Sequence, residues 1–166
     1  GLTLAQLSEP ADTVALSLNK GLGAPLGAIL AGSRAFVEEA VQIRQRFGGG
    51  WRPAAIPAAA ARLALQGWQK WITHDHLEAR WLAEQLMEIP GIHIDQRQVQ
   101  SNLLLVGLGN LDASTLAQRL AELQVLVLPF AHDRIRIAIY RDVLREELET
   151  VVSAFRKLAQ TGGTSA

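Results

Sequence analysis

Two short apolar runs, residues 13–18 and 28–31, bracket a glycine-rich turn and limit the fold more than any other feature of the chain. Neither run alternates apolar with polar residues, which is the pattern of strands covered on both faces. Two such strands do not make a stable sheet alone. Further strands are therefore expected outside these residues, with the chain forming part of a longer protein. Its opening at Gly1, in what reads as mid-domain, agrees with that.

The turn between the runs carries a single amine, Lys20, followed by Gly21, Gly23 and Gly27. Glycines there let backbone pass close to whatever the amine touches. An amine held between a buried strand and a tight turn suits Schiff-base chemistry, because desolvation favours the neutral, nucleophilic form. On residue type alone, the commoner arrangement is a lysine that ends a strand and points to water. A dinucleotide-binding turn is rejected. The glycine spacing is one residue too long, Pro25 lies inside it, and the following residues read as a strand where a phosphate-binding helix is needed.

Composition narrows the function classes. Sixteen basic and sixteen acidic residues balance, so no charge argument favours nucleic acid or an anionic membrane. With no cysteine, disulfides, thiolate metal sites and a cysteine nucleophile are excluded, which is compatible with a reducing cytoplasm. The longest apolar run, residues 21–32, is too short to span a bilayer.

Ser33 is a candidate N-cap for a helix over residues 34–46, with Phe36, Val37, Ala40, Val41 and Ile43 on its buried side. Gly48, Gly49 and Gly50 end it, and Arg52 follows on a pliable loop where a guanidinium could grip a phosphate. A surface arginine on a flexible link is the plainer reading of those residues alone. A long helix over residues 56–86 is expected, kinked near Gly67. Trp68, Trp71 and Trp81 on it suit a core or subunit interface. His74, Asp75 and His76 do not make a metal site, since helix residues two apart do not face one point. The histidines read as solvated or capping, and no metal is expected.

After Pro90 and Gly91 the grammar changes to a small α+β unit. Ile92 and Ile94 alternate with polar neighbours. Strands are expected over residues 101–106, 125–128 and 133–139, with helices over 113–123, capped by Asp112, and 144–158. In the last strand, period two sets Ile135, Ile137 and Ile139 on the core face and Arg134 and Arg136 on the other. Such an arginine can clamp a carboxylate, and a solvated sheet edge accounts for it equally well. The expected divisions are residues 1–70, 71–160 and a flexible tail at 161–166, disorder-type composition setting in at Gln160.

The run Leu18-Asn19-Lys20-Gly21-Leu22-Gly23-Ala24-Pro25-Leu26-Gly27, followed by Phe47-Gly48-Gly49-Gly50-Trp51-Arg52-Pro53 and an alanine-rich helix, resembles the second half of low-specificity L-threonine aldolases. These are enzymes of the aspartate aminotransferase fold (fold type I) that use pyridoxal 5′-phosphate (PLP). The resemblance implies an α/β chain holding the end of a mostly parallel large-domain sheet plus a small α+β domain. It implies that Lys20 bonds covalently to PLP, that Arg52 reaches the phosphate of a neighbouring subunit's cofactor in a homo-oligomer (dimer or tetramer), and that Arg136 holds the substrate α-carboxylate. Asn102 matches a position of structural support. The implied reaction cleaves a β-hydroxy-α-amino acid such as threonine to glycine and an aldehyde, in the cytoplasm. Asn19, Trp51 and Pro53 depart from the residues frequent in the family and put substrate preference and phosphate contacts in question. The residues that stack on the PLP ring and pair with its nitrogen belong to the absent first half. Another fold-type-I lyase acting by β-elimination would use the same lysine, and a decayed, non-catalytic relative would keep the fold without the chemistry.

Overall fold

The computed structural model describes residues 2–162. They divide into two compact units, one up to Trp68 and one from Gln69 onward.

The first unit opens with α1 (Leu4–Ser8), whose N-cap Thr3 and Gln6 make a reciprocal capping box. Strands β1 (Val14–Ser17) and β2 (Ala28–Ala31) pair antiparallel, with Val14 opposite Ala31 and Ser17 opposite Ala28. Helix α2 (Arg34–Arg46) begins where expected, the Ser33 hydroxyl accepting the Phe36 amide at 3.3 Å. A 3-10 turn (Arg52–Ala54) leads into α3 (Ala55–Ala64). The residues of β1 and β2 are largely exposed, and the strands expected to cover them are not among the described residues. One expectation fails here. On α2, Val37, Val41 and Ile43 are also exposed, with Phe36 and Ala40 only half-buried. No described element packs over these apolar surfaces. The buried cluster of this unit is small: Leu18 and Ala24 of the turn against Ala61 of α3.

The expected long helix is two helices. The Leu65 amide returns to the Ala61 carbonyl, and Gly67 takes a left-handed φ of 69° that only glycine adopts freely. The second unit is built on α4 (Trp68–Met87), β3 (Leu103–Gly107), α5 (Ala113–Glu122), β4 (Leu128–Ala131), β5 (Arg134–Ala138) and α6 (Arg145–Gly162). Its sheet has the order β3-β5-β4, antiparallel throughout. Period two works as expected. Leu104, Val106 and Ile135 face a core shared with Leu82 and Leu86 of α4, Leu116 and Leu120 of α5, and Leu148, Val152 and Phe155 of α6. Asp112 caps α5, accepting the Thr115 amide at 2.7 Å. No described helix is long and apolar enough to cross a membrane.

Three local corrections concern element ends. The Ile92–Ile94 alternation yields one bridge, His93 with Gly107, because Asp95 at once caps a 3-10 turn. The strand expected at residues 125–128 starts at Leu128. It is displaced because α5 ends in a Schellman turn: Gln124 is left-handed (φ 62°) and the Val125 amide returns to Leu120 O at 2.9 Å. Val125 is thereby buried as the plug of a helix end. Helix α6 runs on to Gly162, so residues 160–162 are helical; the rest of the expected tail lies outside the described residues. All strand pairs among the described residues are antiparallel, so none of the mostly parallel part of the expected large sheet is seen in them.

A glutamine in left-handed backbone is strained by about 1 kcal/mol. Gln124→Gly is expected to raise the stability of the second unit by roughly 0.5–1 kcal/mol in urea unfolding. A destabilised Gln124→Gly would show that the Gln124 side chain, not the backbone path, fixes this turn.

Candidate active site

The turn carrying Lys20 is a closed backbone ring. The Leu18 amide donates to Gly27 O at 2.9 Å, the Ala24 amide donates to Leu18 O at 2.9 Å, and the Gly23 amide donates to Lys20 O at 2.8 Å. Gly23 (φ 78°) and Gly27 (φ 118°) supply the left-handed bends that close it. The Ser17 hydroxyl bonds Asn19 Oδ1 at 2.8 Å, bracing the entry. Leu18 is buried against Ala24 and Ala61, which fixes the ring on α3. Lys20 itself is exposed, the arrangement that residue type alone favours over a buried amine, and nothing described covers the end of β1.

Arg52 starts the 3-10 turn that leads into the same helix. The triple glycine before it has a structural cause. The Gly48 amide (φ 76°) returns to Gln45 O at 3.1 Å and the Gly49 amide to Arg44 O at 2.8 Å, a Schellman end to α2. A Cβ on Gly49 would sit 2.8 Å from Arg44 Cγ, and one on Gly50 would collide with the Gln45 amide. Lys20 and Arg52 thus belong to one unit, both tied to α3.

Arg136 lies in the second unit, mid-way along β5, opposite Leu105 of β3 and Leu128 of β4. The end of its strand is pinned by Asn102, whose Nδ2 donates to Ile139 O at 2.7 Å while the Ile139 amide donates to Asn102 O at 2.8 Å. Among the described residues, Lys20, Arg52 and Arg136 have no carboxylate partner. In the first unit Lys20 offers an amine for an aldehyde and Arg52 a guanidinium for a phosphate, so PLP fits the residues present there. In the second unit Arg136 can take a carboxylate. Among the described residues no cluster of three histidine or acidic side chains could hold a metal ion.

Sequence reasoning missed the buried acids of α4. Asp75 and Glu78 share the inward stripe with Ala79, Leu82, Ala83 and Leu86. Extending that stripe one turn back was the signal that could have found them. Glu78 accepts a 2.8 Å hydrogen bond from Arg145 Nη2, and that guanidinium stacks on Trp81 at 3.9 Å. His74 stays largely exposed, as a solvated residue should, 3.8 Å from Glu78. Asp75 is 1% exposed, and its Oδ2 has no partner among the described residues. Burial raises its pKa above the ordinary 3.8, with His74, His76 and Arg141 pulling the other way. The folded chain therefore holds a proton that the unfolded chain releases, and this site costs stability as pH rises past 3.8. Asp75→Asn, which cannot ionise, is expected to be more stable than the native chain at neutral pH, with the gain shrinking as pH falls towards 3.8 and lost below it. Urea midpoints at the two pH values check this; a gain that grows on acidification would contradict it.

Residues 1–108 match the family model of the beta-eliminating lyases. The chain belongs to the beta-eliminating lyase family. It is 34% identical over 164 residues to low-specificity L-threonine aldolase 1 of Arabidopsis thaliana, covering 97% of this chain and 46% of the relative. It is 33% identical over 156 residues to the low specificity L-threonine aldolase of Escherichia coli K12, covering 94% and 45% respectively. The resemblance drawn from the lysine turn and the glycine-arginine segment is thus borne out. The chain spans about half the length of these curated relatives. Among solved structures, a Sphingomonas wittichii serine palmitoyltransferase superposes with a TM-score of 0.70 at 19% identity, over 96% of this chain and 42% of that one. A protein from Exiguobacterium sp. 255-15, assigned to the aromatic amino acid beta-eliminating lyase/threonine aldolase group, gives 0.78 at 22% identity, over 94% and 47%. The fold is that of part of a fold-type-I PLP enzyme, and PLP is the cofactor that goes with it.

Proposed function

We propose that this chain is the lysine-bearing part of a PLP-dependent lyase that splits a β-hydroxy-α-amino acid into glycine and an aldehyde. The observation that carries the proposal is the closed ring around Lys20. It presents an amine with no ion-pair partner on backbone braced by three hydrogen bonds. The relatives named threonine aldolases support the choice of substrate class.

Lys20 is the residue that holds the cofactor covalently. Arg52 pairs with the phosphate of the cofactor in a neighbouring subunit of a homo-oligomer, where a guanidinium makes two parallel hydrogen bonds. Arg136 grips the substrate α-carboxylate from a strand pinned by Asn102, which orients the Cα–Cβ bond. Bound PLP supplies the electron sink for the pair released when that bond breaks. A location in the cytoplasm goes with this reading.

The family description favours a second reading, elimination across Cα and Cβ, which would use the same lysine. Product analysis separates the two. With threonine, the PLP-loaded enzyme is expected to release glycine and acetaldehyde in equal amounts. Release of 2-oxobutyrate and ammonia instead would replace the aldolase with the eliminating lyase.

A further inference from the structure

Two buried carboxyls that the reaction above does not use lie on α4. Trp71, Asp75, Glu78 and Trp81 follow one another at spacings of four, three and three residues, which sets them along one side of the helix. Asp75 Oδ2 and Glu78 Oε2 are enclosed and have no partner among the described residues. The chain from β5 into α6 meets this side of α4. The Arg141 guanidinium lies 4.8 Å from the centre of the Trp71 ring. Arg145, the first residue of α6, stacks on Trp81 at 3.9 Å and donates to Glu78 at 2.8 Å. Residues 139–144, the link between the two elements, are thus bolted to α4 on either side of Asp75. The other end of that link is the strand of Arg136, pinned where Asn102 holds Ile139.

Charged groups reach Asp75 from both elements. On α4, His74 and His76 flank it, with Lys70, 5.1 Å from the Trp71 ring, and Glu78 further along the helix. From the link, Arg141 attracts its carboxylate and Asp142 repels it, while Arg145 is committed to Glu78. An enclosed carboxylate with no donor is costly as a charge and tolerable with its proton. The neutral group leaves Arg141 on Trp71. The ionised group pulls Arg141 and pushes Asp142, so it acts in opposite senses on consecutive residues of the link. The two histidines favour ionisation only while they carry charge themselves.

We propose that Asp75 is a positioning residue, a proton-operated latch on the link that follows the Arg136 strand. With its proton, it leaves the link seated on α4. On losing the proton to solvent, it draws Arg141 off Trp71 and loosens the end of β5. This rests on Arg136 holding the substrate α-carboxylate, as proposed above. The effect therefore falls on KM and not on kcat, because Asp75 touches neither substrate nor cofactor and acts only through the strand that grips the carboxylate. The latch is closed on the acid side of the Asp75 titration and opens as pH rises through it.

Two readouts on the PLP-loaded full-length enzyme test the latch. Tryptophan emission followed from about pH 5 to about pH 9 is expected to show a transition as Arg141 leaves the Trp71 ring. Asp75→Asn, which has no proton to lose, and Trp71→Phe should each remove it. The double variant His74→Gln, His76→Gln should retain it. In turnover, the KM for threonine in the native enzyme is divided by that in Asp75→Asn, which cancels the titration of other groups. This ratio is expected to rise about threefold or more across the same transition, with the kcat ratio constant. A native enzyme without the transition, or a transition that persists in Asp75→Asn, would overturn the latch. So would a KM ratio that stays flat while the emission changes. Arg136→Gln separates the latch from the reading it rests on. It is expected to keep the emission transition and to lose the pH-dependent KM ratio, measured with and without Asp75→Asn. If the ratio still rises in Arg136→Gln, the carboxylate is held elsewhere and the role of Arg136 falls, while the latch stands on the emission transition.

Discussion

Replacing Lys20 with alanine is expected to abolish the visible absorption of PLP bound to the holoenzyme and to lower turnover by roughly a thousandfold or more, the scale of losing a covalent catalytic group. The expected loss is chemical, because the turn does not depend on the side chain. What holds the ring is backbone: Gly23 to Lys20 O, Ala24 to Leu18 O and Leu18 to Gly27 O. Alanine keeps each of these bonds, and the Lys20 side chain is exposed. Stability should therefore change by no more than about 0.5 kcal/mol. Lys20→Arg is an informative companion. It keeps a cation at the same place but offers no neutral amine, so it should be as inactive as alanine. Visible absorbance on titration with PLP, together with a threonine turnover assay, reads both effects. A Lys20→Ala enzyme that stays coloured and active would move the covalent chemistry to another residue.

Where a local rule sufficed, sequence alone placed the elements well. Ser33 and Asp112 each cap the helix expected of them, because an N-cap needs only a short oxygen side chain and the next few amides. Period two oriented Ile135 and Arg136 correctly because β5 is paired on both edges, which fixes its faces. The failures all involve information that is not local. The start of β4 was misplaced because Gln124, a residue with no strong turn signature, takes a left-handed conformation that glycine usually supplies. The burial of Asp75 and Glu78 ran against residue type, since charged side chains are seldom buried unless paired. Glu78 is paired with Arg145, sixty-seven positions away, a partner that no helix pattern reveals. The apolar runs of β1 and β2 called for cover on both faces, and the described residues do not supply it. Lys20 is exposed for the same reason. Its position in the ring was legible, since Gly23 and Gly27 announce the bends, but its burial depended on packing that local sequence cannot encode.

Leu82→Ala is expected to cost about 3–4 kcal/mol. Leu82 is 0% exposed on α4 and belongs to the core that Leu104, Val106, Ile135, Leu120 and Phe155 complete. Removing its branched end leaves a hole bounded by side chains from the sheet and from other helices, and elements held on several sides collapse little into it. In this chain taken by itself, Leu30→Ala on β2 should cost under about 1 kcal/mol, because that leucine is 45% exposed among the described residues and little of its surface returns to water. The contrast follows from where apolar area is buried: the second unit has a continuous core, and the first has Leu18, Ala24 and Ala61. Urea unfolding followed by the fluorescence of Trp81, which packs on the larger core, reads the first loss directly. Amide exchange extends the argument to the candidate site. The amides of Ile135 and Ile137, on either side of Arg136, should exchange faster in Leu82→Ala, because the strand that presents the arginine rests on the weakened core. Equal costs for the two substitutions would place Leu30 in a core of its own and overturn this division of stability.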